Sequence, residues 1–176
     1  YTAYIAFLSQ GVPVGGSVKG AATPPIKMPN RRADTDAGKL VYAAKCTACH
    51  GPDGQGQRVG KAGDAQGYTF PPLWGPDSFN TGAGMNRLVM AARFLHANMP
   101  LGASHDATQL SVDEAYDVAA HMVSQPRPVK ANLEADFPAR WNKPVDAAFP
   151  PYLQGTADQH KYGPFPPLAE KQKQMA

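Results

Sequence analysis

The sequence has little of several features that would place it in a common class of protein. It contains only two cysteines in 176 residues, so it can form at most one internal disulfide and is not a disulfide-stapled scaffold. No stretch approaches the roughly 18 consecutive apolar residues of a transmembrane helix. Lys and Arg do not cluster in a block, and the net charge of +3 is only mildly basic, which makes nucleic acid a poor candidate partner. The spacing of the two cysteines therefore decides what they do.

The first residues of the chain carry no targeting signal. Residues 1–10 lack both a basic start and a cleavage-site pattern, so we expect any export signal to lie upstream of Tyr1. These residues have the pattern of a short amphipathic helix, and residues 11–29 have the Gly- and Pro-rich composition of a linker. We predict that residues 1–35 are the helical tail of a preceding domain followed by a linker.

Cys46, Cys49 and His50 form the pattern Cys-x-x-Cys-His, which is the attachment signature of a c-type haem. In this chemistry two thiols add to the haem vinyl groups as thioethers, and the adjoining His is held against one face of the iron. A thioredoxin-like dithiol would need a strand–helix–strand context that the sequence does not show, and a structural zinc site would need further ligands, usually a second cysteine pair. The sequence therefore predicts one covalent haem c.

The residues before this motif resemble the first helix of class I cytochromes c. Gly38 and Tyr42 precede Cys46 at the spacing of that family, and a glycine permits two helices to approach closely. The resemblance implies an all-α fold, the class I cytochrome c helical fold around one covalent haem, with long Pro-rich extended N- and C-terminal segments.

A capping box later in the chain predicts the helix that would cross the first one. Ser111 is the expected N-cap and Glu114 the N3 residue, and the helix should run to about Ser124, where prolines follow. In class I cytochromes c such a helix crosses the first helix, and the resemblance places Tyr116 where it is expected to meet Gly38.

A methionine is the predicted second iron ligand. Apolar residues at helical spacing predict a helix that ends near Asn98, because Pro100 disfavours the helical conformation for the residue before it. This places Met99 in a loop just after the helix, where class I cytochromes c carry their thioether ligand. Met85 is the less favoured alternative, because it would lie about 21 Å from Met99 along a straight helix, and both cannot reach one iron unless the segment breaks. Histidine ligation is a third alternative, through His96, His105 or His121.

Pro71 and Trp74 lie in a Pro-x-Leu-x-Gly stretch that class I cytochromes c share. The resemblance implies that the Pro71 carbonyl accepts a hydrogen bond from the ring N–H of His50, which fixes the orientation of the ring. Trp74 is a candidate donor to a haem propionate, and core packing explains it equally well. Arg58 and Arg93 are further candidate propionate partners.

Residues 126–176 are rich in proline, and we expect no helix or strand of useful length there. The segment is also rich in aromatic residues, whereas disordered segments are poor in them. We therefore predict an ordered, extended wrap that presses its aromatic side chains on the core or on a neighbour, with a flexible tail as the alternative. This division leaves residues 36–125 as the haem domain.

Longer stretches are similar to the second, C-terminal haem domain of dihaem thiosulfate dehydrogenases. The most specific are GPDSFNTGAGMNRL at 75–88, SQPRP at 124–128 and the ending HKYGPFPPL at 160–168. That family oxidises thiosulfate to tetrathionate in the periplasm, at a first haem whose distal ligand is a cysteine. This chain has no such cysteine and only one Cys-x-x-Cys-His, so the resemblance implies an electron-transfer domain and no catalytic residue.

The sequence thus favours a periplasmic electron-exit domain of a thiosulfate dehydrogenase. It would receive electrons from a preceding cytochrome c domain or subunit and pass them to a redox partner protein. The alternatives are an independent monohaem carrier, which would not need residues 1–30, and a haem protein that binds a small gas. The second alternative requires an open iron site, which a Met99 ligand would oppose.

Overall fold

The computed structural model describes residues 1–15, 23–61 and 66–175. The predicted linker at 11–29 therefore lies partly outside the described residues. The described residues are mainly helical, with one short antiparallel pair of strands, β1 (Gln57–Arg58) and β2 (Tyr68–Phe70). The helices of the described residues are α1 (Thr2–Leu8), α2 (Thr35–Lys45), α3 (Thr47–His50), α4 (Leu88–Asn98), α5 (Val112–Ser124), α6 (Ala157–Tyr162) and α7 (Pro166–Met175). No helix of the described residues is long and apolar enough to cross a membrane.

Helices α2 and α5 cross at Gly38, as the class I resemblance implied. A Cβ atom at this position would overlap the backbone carbonyl of Asp117, so only glycine allows the two helices to come this close. The prediction that Tyr116 meets Gly38 is wrong. Successive helical residues point about 100° apart, and because Asp117 faces α2, Tyr116 turns away and donates its hydroxyl to the Arg31 carbonyl.

The capping box predicted for α5 is confirmed. The Ser111 hydroxyl accepts a hydrogen bond from the Glu114 backbone N–H at 3.1 Å, and the Glu114 carboxylate accepts one from the Ser111 N–H at 2.8 Å. Helix α2 begins in a similar way, because the Asp34 carboxylate accepts hydrogen bonds from the backbone N–H groups of Asp36 and Ala37. Both helices that frame the crossing therefore have some of the free N–H groups of their first turn satisfied by a local side chain.

Helix α4 ends at Asn98 as expected, but it does not reach back to Met85. Arg87 is extended, with φ −95° and ψ 124°, and it separates α4 from a short 3₁₀ turn at Gly84–Asn86 that contains Met85. The segment between Met85 and Met99 is thus broken. A distance calculated along one straight helix no longer argues against Met85 as an iron ligand.

The C-terminal segment is ordered and packs on the core, but the expectation that it holds no helix of useful length is wrong. Helix α7 has 10 residues and begins with Pro166 and Pro167. Proline disrupts the interior of a helix but suits its first turn, where the N–H groups have no helical partner. Phe165, at the start of α7, is 3% exposed, and its ring meets the Tyr116 ring edge-on at 6.3 Å.

The core lies between α2, α4 and α5, and the C-terminal segment closes one side of it. Tyr116, Leu88 and Met122 are the largest fully buried side chains. The N-terminal helix is different, because α1 has no buried residue and its apolar side chains are exposed, including Tyr4, Ile5, Phe7 and Leu8.

Candidate functional site

Cys46 and Cys49 lie on a single turn of backbone between α2 and the loop that follows α3. Cys46 ends α2, and the N–H groups of Cys49 and His50 both donate to the Cys46 carbonyl, at 3.2 and 2.9 Å. The two cysteines are not bonded to each other. Burial raises the pKa of Cys46 to about 11, so this thiol is neutral at physiological pH. The turn therefore holds two free thiols and an imidazole within five consecutive residues.

The His50 ring lies against the carbonyl of Pro71. His50 Nδ1 is 2.9 Å from the Pro71 oxygen, and a carbonyl can only accept, so Nδ1 carries the proton and donates. The other ring nitrogen, Nε2, then keeps its lone pair and is the nitrogen able to bind a metal. Phe70, immediately before Pro71, packs its ring edge against His50 at 6.3 Å.

Trp74 packs in a group of aromatic rings behind this turn. Its ring lies 4.9 Å from Tyr42 and 5.7 Å from His121, and Tyr42 and His121 are 5.6 Å apart. The indole also covers Gly54, where a Cβ would overlap the ring. The Tyr42 hydroxyl donates to the Gly51 carbonyl at 2.6 Å, which ties the turn after His50 to α2. These contacts give Trp74 a packing function.

Met85 and Met99 are both half-buried and both pack against the hydrophobic core. Met99 follows the last turn of α4, and its N–H donates to the Leu95 carbonyl at 3.0 Å. Met85 lies in the 3₁₀ turn that precedes α4. The structure therefore places one candidate sulfur at each end of α4 and leaves both in contact with the core.

The candidate histidine ligands have other environments. His96 Nδ1 is 2.8 Å from the Leu110 carbonyl, and His105 is exposed in a loop. The His121 ring packs against the Tyr42 ring at a tilt of 47° near the crossing of α2 and α5, and burial lowers the pKa of His121. None of these contacts orients the histidine toward His50, as a second axial ligand would need to be.

The residues present fit a covalently attached haem. The two thiols are free, the Pro71 carbonyl leaves His50 Nε2 available, and the buried Arg93 Nε has no hydrogen-bond partner among the described residues. Arg58 is a less suitable partner for a haem propionate than Arg93, because its guanidinium already contacts Asp77 and the Tyr68 hydroxyl. In the described part of the chain, no three His, Cys, Asp or Glu side chains come together as a metal site, so a structural zinc has no ligand set there.

Two residues that connect distant segments of the fold were not identified from the sequence. Asp146, in the C-terminal segment, is 4% exposed and lies at the start of α4. Nothing in its local sequence indicates this contact. Arg127 belongs to the SQPRP stretch and is held by the carbonyls of Leu73 and Met122. An arginine between two prolines was the only signal in the sequence, and it does not identify the neighbours of that arginine.

Comparison with known proteins finds matches over the stretch that contains this turn. The family model described as cytochrome c matches residues 35–126. The thiosulfate dehydrogenase of Allochromatium vinosum is 51% identical over 128 residues, which cover 72% of this chain and 44% of that protein. The thiosulfate dehydrogenase of Stutzerimonas stutzeri is 48% identical over 132 residues, covering 75% of this chain and 40% of that protein.

A solved structure shows the same similarity. Thiosulfate dehydrogenase TsdBA from Marichromatium purpuratum, in its as-isolated form, matches with a TM-score of 0.62 and 39% identity, over 74% of this chain and 26% of that chain. The chain thus spans less than half the length of these relatives.

Proposed function

The chain belongs to the cytochrome c family, and we propose that it is the electron-exit domain of a periplasmic thiosulfate dehydrogenase, carrying one covalent haem c. The observation that carries this proposal is the hydrogen bond between His50 Nδ1 and the Pro71 carbonyl, next to two free cysteines. It aligns one imidazole nitrogen beside two thiols at the spacing that covalent haem attachment requires.

The residues of this chain would hold the group and would not carry out the oxidation. Cys46 and Cys49 would form the thioethers, and His50 Nε2 would bind one face of the iron. Pro71 would keep the imidazole in the correct tautomer and orientation. When bound, haem c supplies a one-electron couple, and a thioether as second ligand favours its reduced state.

We propose that a methionine next to α4 is the second axial ligand. Met99 is the first candidate, because it follows the end of a helix, where its sulfur can turn toward the iron without helical constraint. Met85 is the second candidate, and the break at Arg87 leaves it free of the same constraint. Either sulfur would close the iron to substrate, which suits electron transfer.

The oxidation itself would take place on a preceding cytochrome domain or subunit. Joining two thiosulfates through a new sulfur–sulfur bond yields tetrathionate and releases two electrons, which this domain would pass on one at a time to a redox partner protein. The exposed apolar side chains of α1 support a neighbour at the N-terminal side, because water-exposed apolar surface of this kind commonly marks a contact.

The proposal is tested by comparing this chain with the complete gene product, both exported to the periplasm. The complete product should reduce an electron acceptor with thiosulfate, whereas this chain alone should hold haem, accept electrons from a reductant and show no thiosulfate oxidation. Thiosulfate oxidation by this chain alone would contradict the proposal, as would a complete product that is inactive toward thiosulfate. Expression of the chain in the cytoplasm should give protein without haem.

A further inference from the structure

Arg127 is a half-buried cation with unused hydrogen-bond donors. A guanidinium has five N–H donors. In this side chain one terminal nitrogen donates to the Met122 carbonyl at 2.6 Å, and the other reaches the Leu73 carbonyl at 3.4 Å. The Nε atom is buried and has no partner among the described residues. At least one donor is thus removed from water without a replacement.

The charge of Arg127 is also uncompensated. None of the ion pairs between described residues includes it, and its nearest aromatic contact is the Phe79 ring, with the guanidinium carbon 4.3 Å from the ring centroid. Burial lowers the pKa of Arg127 to about 10. A partly desolvated cation with no carboxylate is unfavourable, and an anion beside it would offset that cost.

A cavity of about 340 Å³ lies beside Arg127, between the end of α5 and the C-terminal segment. Its wall includes a second cation, Lys161 on α6, and the amide side chains of Asn86 and Gln125. No Asp or Glu lines it. The cavity is therefore large enough for a small ligand, and its ionisable side chains are both cationic.

We propose that Arg127, with Lys161 in the wall of the same cavity, forms a binding site for a carboxylate or a small oxoanion. Arginine suits such ligands, because two parallel N–H groups of the guanidinium fork match two oxygens of the anion. The amide side chains of Asn86 and Gln125 can donate further hydrogen bonds. The apolar part of the wall, including Phe149, lowers the local polarity, which strengthens the electrostatic attraction.

The anion can come from two sources. It is either a soluble oxoanion of the sulfate type or a propionate of the bound haem. The site does not depend on the proposed thiosulfate oxidation, because the probe described below is sulfate, which is not oxidised. Failure of the anion site and failure of the proposed function are therefore separate results.

The experiment uses the haem-loaded protein in its reduced state, compared as wild type, Arg127→Gln, Arg127→Lys, Lys161→Gln and Arg140→Gln. Arg140 is an exposed arginine outside the cavity and serves as the matched control. Sodium sulfate is titrated against sodium chloride at equal ionic strength. In nitrogen–proton NMR spectra the Arg127 Nε–H resonance is the direct readout wherever Arg127 is present, and the side-chain amide resonances of Gln125, which lines the same cavity, give the sulfate Kd of every variant. The reduction potential of each variant is measured as a function of pH.

If the anion is soluble, sulfate shifts the Nε–H resonance in a saturable way, and Arg127→Gln raises the sulfate Kd at least tenfold. Lys161→Gln should then raise the Kd about threefold, and Arg140→Gln should leave it unchanged. If the anion is a propionate, sulfate has no effect, but Arg127→Gln lowers the reduction potential and changes its pH profile, whereas Arg127→Lys retains most of the wild-type behaviour.

The proposal is overturned if sulfate leaves the Nε–H resonance unchanged and the reduction potentials of Arg127→Gln and Arg127→Lys are also the same as that of the wild type. It is equally overturned if sulfate binds the wild type and Arg127→Gln with the same Kd. If Arg127→Gln does not fold, the wild-type titration and the Arg127→Lys potentials decide by the same criteria.

Discussion

The carboxylate of Asp146 accepts a hydrogen bond from the backbone N–H of Val89 at 3.0 Å, across 57 residues of sequence. Arg87, which precedes α4, has no side chain that caps the helix, and its own guanidinium lies 3.5 Å from the same carboxylate. The C-terminal segment thus supplies the cap that α4 lacks. Met85 lies in the turn just before this end of α4, so the contact adjoins one of the two candidate iron ligands.

Replacing Asp146 should therefore weaken the fold considerably. We expect Asp146→Ala to lower the free energy of unfolding by about 3 kcal/mol, because it leaves a helix N-terminus uncapped and a partly buried Arg87 without its carboxylate. Denaturant unfolding measures the change. Asp158→Ala is the control, since Asp158 forms an exposed pair with Arg32 and should cost less than about 1 kcal/mol. Equal losses in the two variants would show that the contact with α4 is not stabilising.

The crossing of α2 and α5 should not accept a methyl group. Gly38→Ala is expected to destabilise the protein by about 3 kcal/mol, because the added Cβ would overlap the Asp117 carbonyl and force two packed helices apart. Gly84→Ala is the matched control, since no atom lies within 4 Å of a Cβ placed there. Thermal unfolding of both variants checks this, and a Gly38→Ala protein as stable as wild type would contradict the close approach.

Covalent attachment of haem should depend on both cysteines. Cys46→Ala and Cys49→Ala should each leave one vinyl group unreacted, which moves the absorption of the pyridine haemochrome to longer wavelength than that of wild type. Wild-type protein should keep its haem on a denaturing gel. Haem that extracts from the wild type into acidified organic solvent would refute covalent attachment.

Spectroscopy distinguishes which of the two methionines binds the iron. Met99→Ala should abolish the near-infrared sulfur-to-iron band of the oxidised protein and allow the reduced protein to bind carbon monoxide, whereas Met85→Ala should leave both properties largely unchanged. Loss of the band in Met85→Ala alone would identify Met85 as the ligand. Retention of the band in both variants would exclude both methionines as its source, and its absence from the wild type would indicate ligation by histidine.

Glu114 should make the stability of α5 depend on pH. Hydrogen bonds from Lys45 and from the Ser111 backbone N–H lower its pKa, so its contribution is present above the pKa of the unfolded chain and is lost as pH falls through the lower folded value. Glu114→Gln should therefore reduce stability near neutral pH by about 1 kcal/mol and by less under acidic conditions. Urea unfolding at several pH values measures this, and a loss that stays constant with pH would show that the charge of Glu114 is irrelevant.

Local sequence was sufficient for the parts of this protein that depend on neighbouring residues. The Cys46–His50 motif, the capping box of Ser111 and Glu114, and the end of α4 before Pro100 involve partners within a few positions of each other. Interactions of such short range are encoded by residue type and spacing, because the chain brings the partners together whatever the rest of the fold does.

Only the tertiary structure decided the contacts between distant segments. The cap on α4 comes from Asp146, Gly38 faces Asp117 and not Tyr116, and α7 begins at two prolines that suggested a break. The segment between Met85 and Met99 breaks at Arg87 although its apolar spacing continues. Each of these outcomes depends on which surfaces of the folded chain meet, and side-chain packing and buried charge can then override local preference.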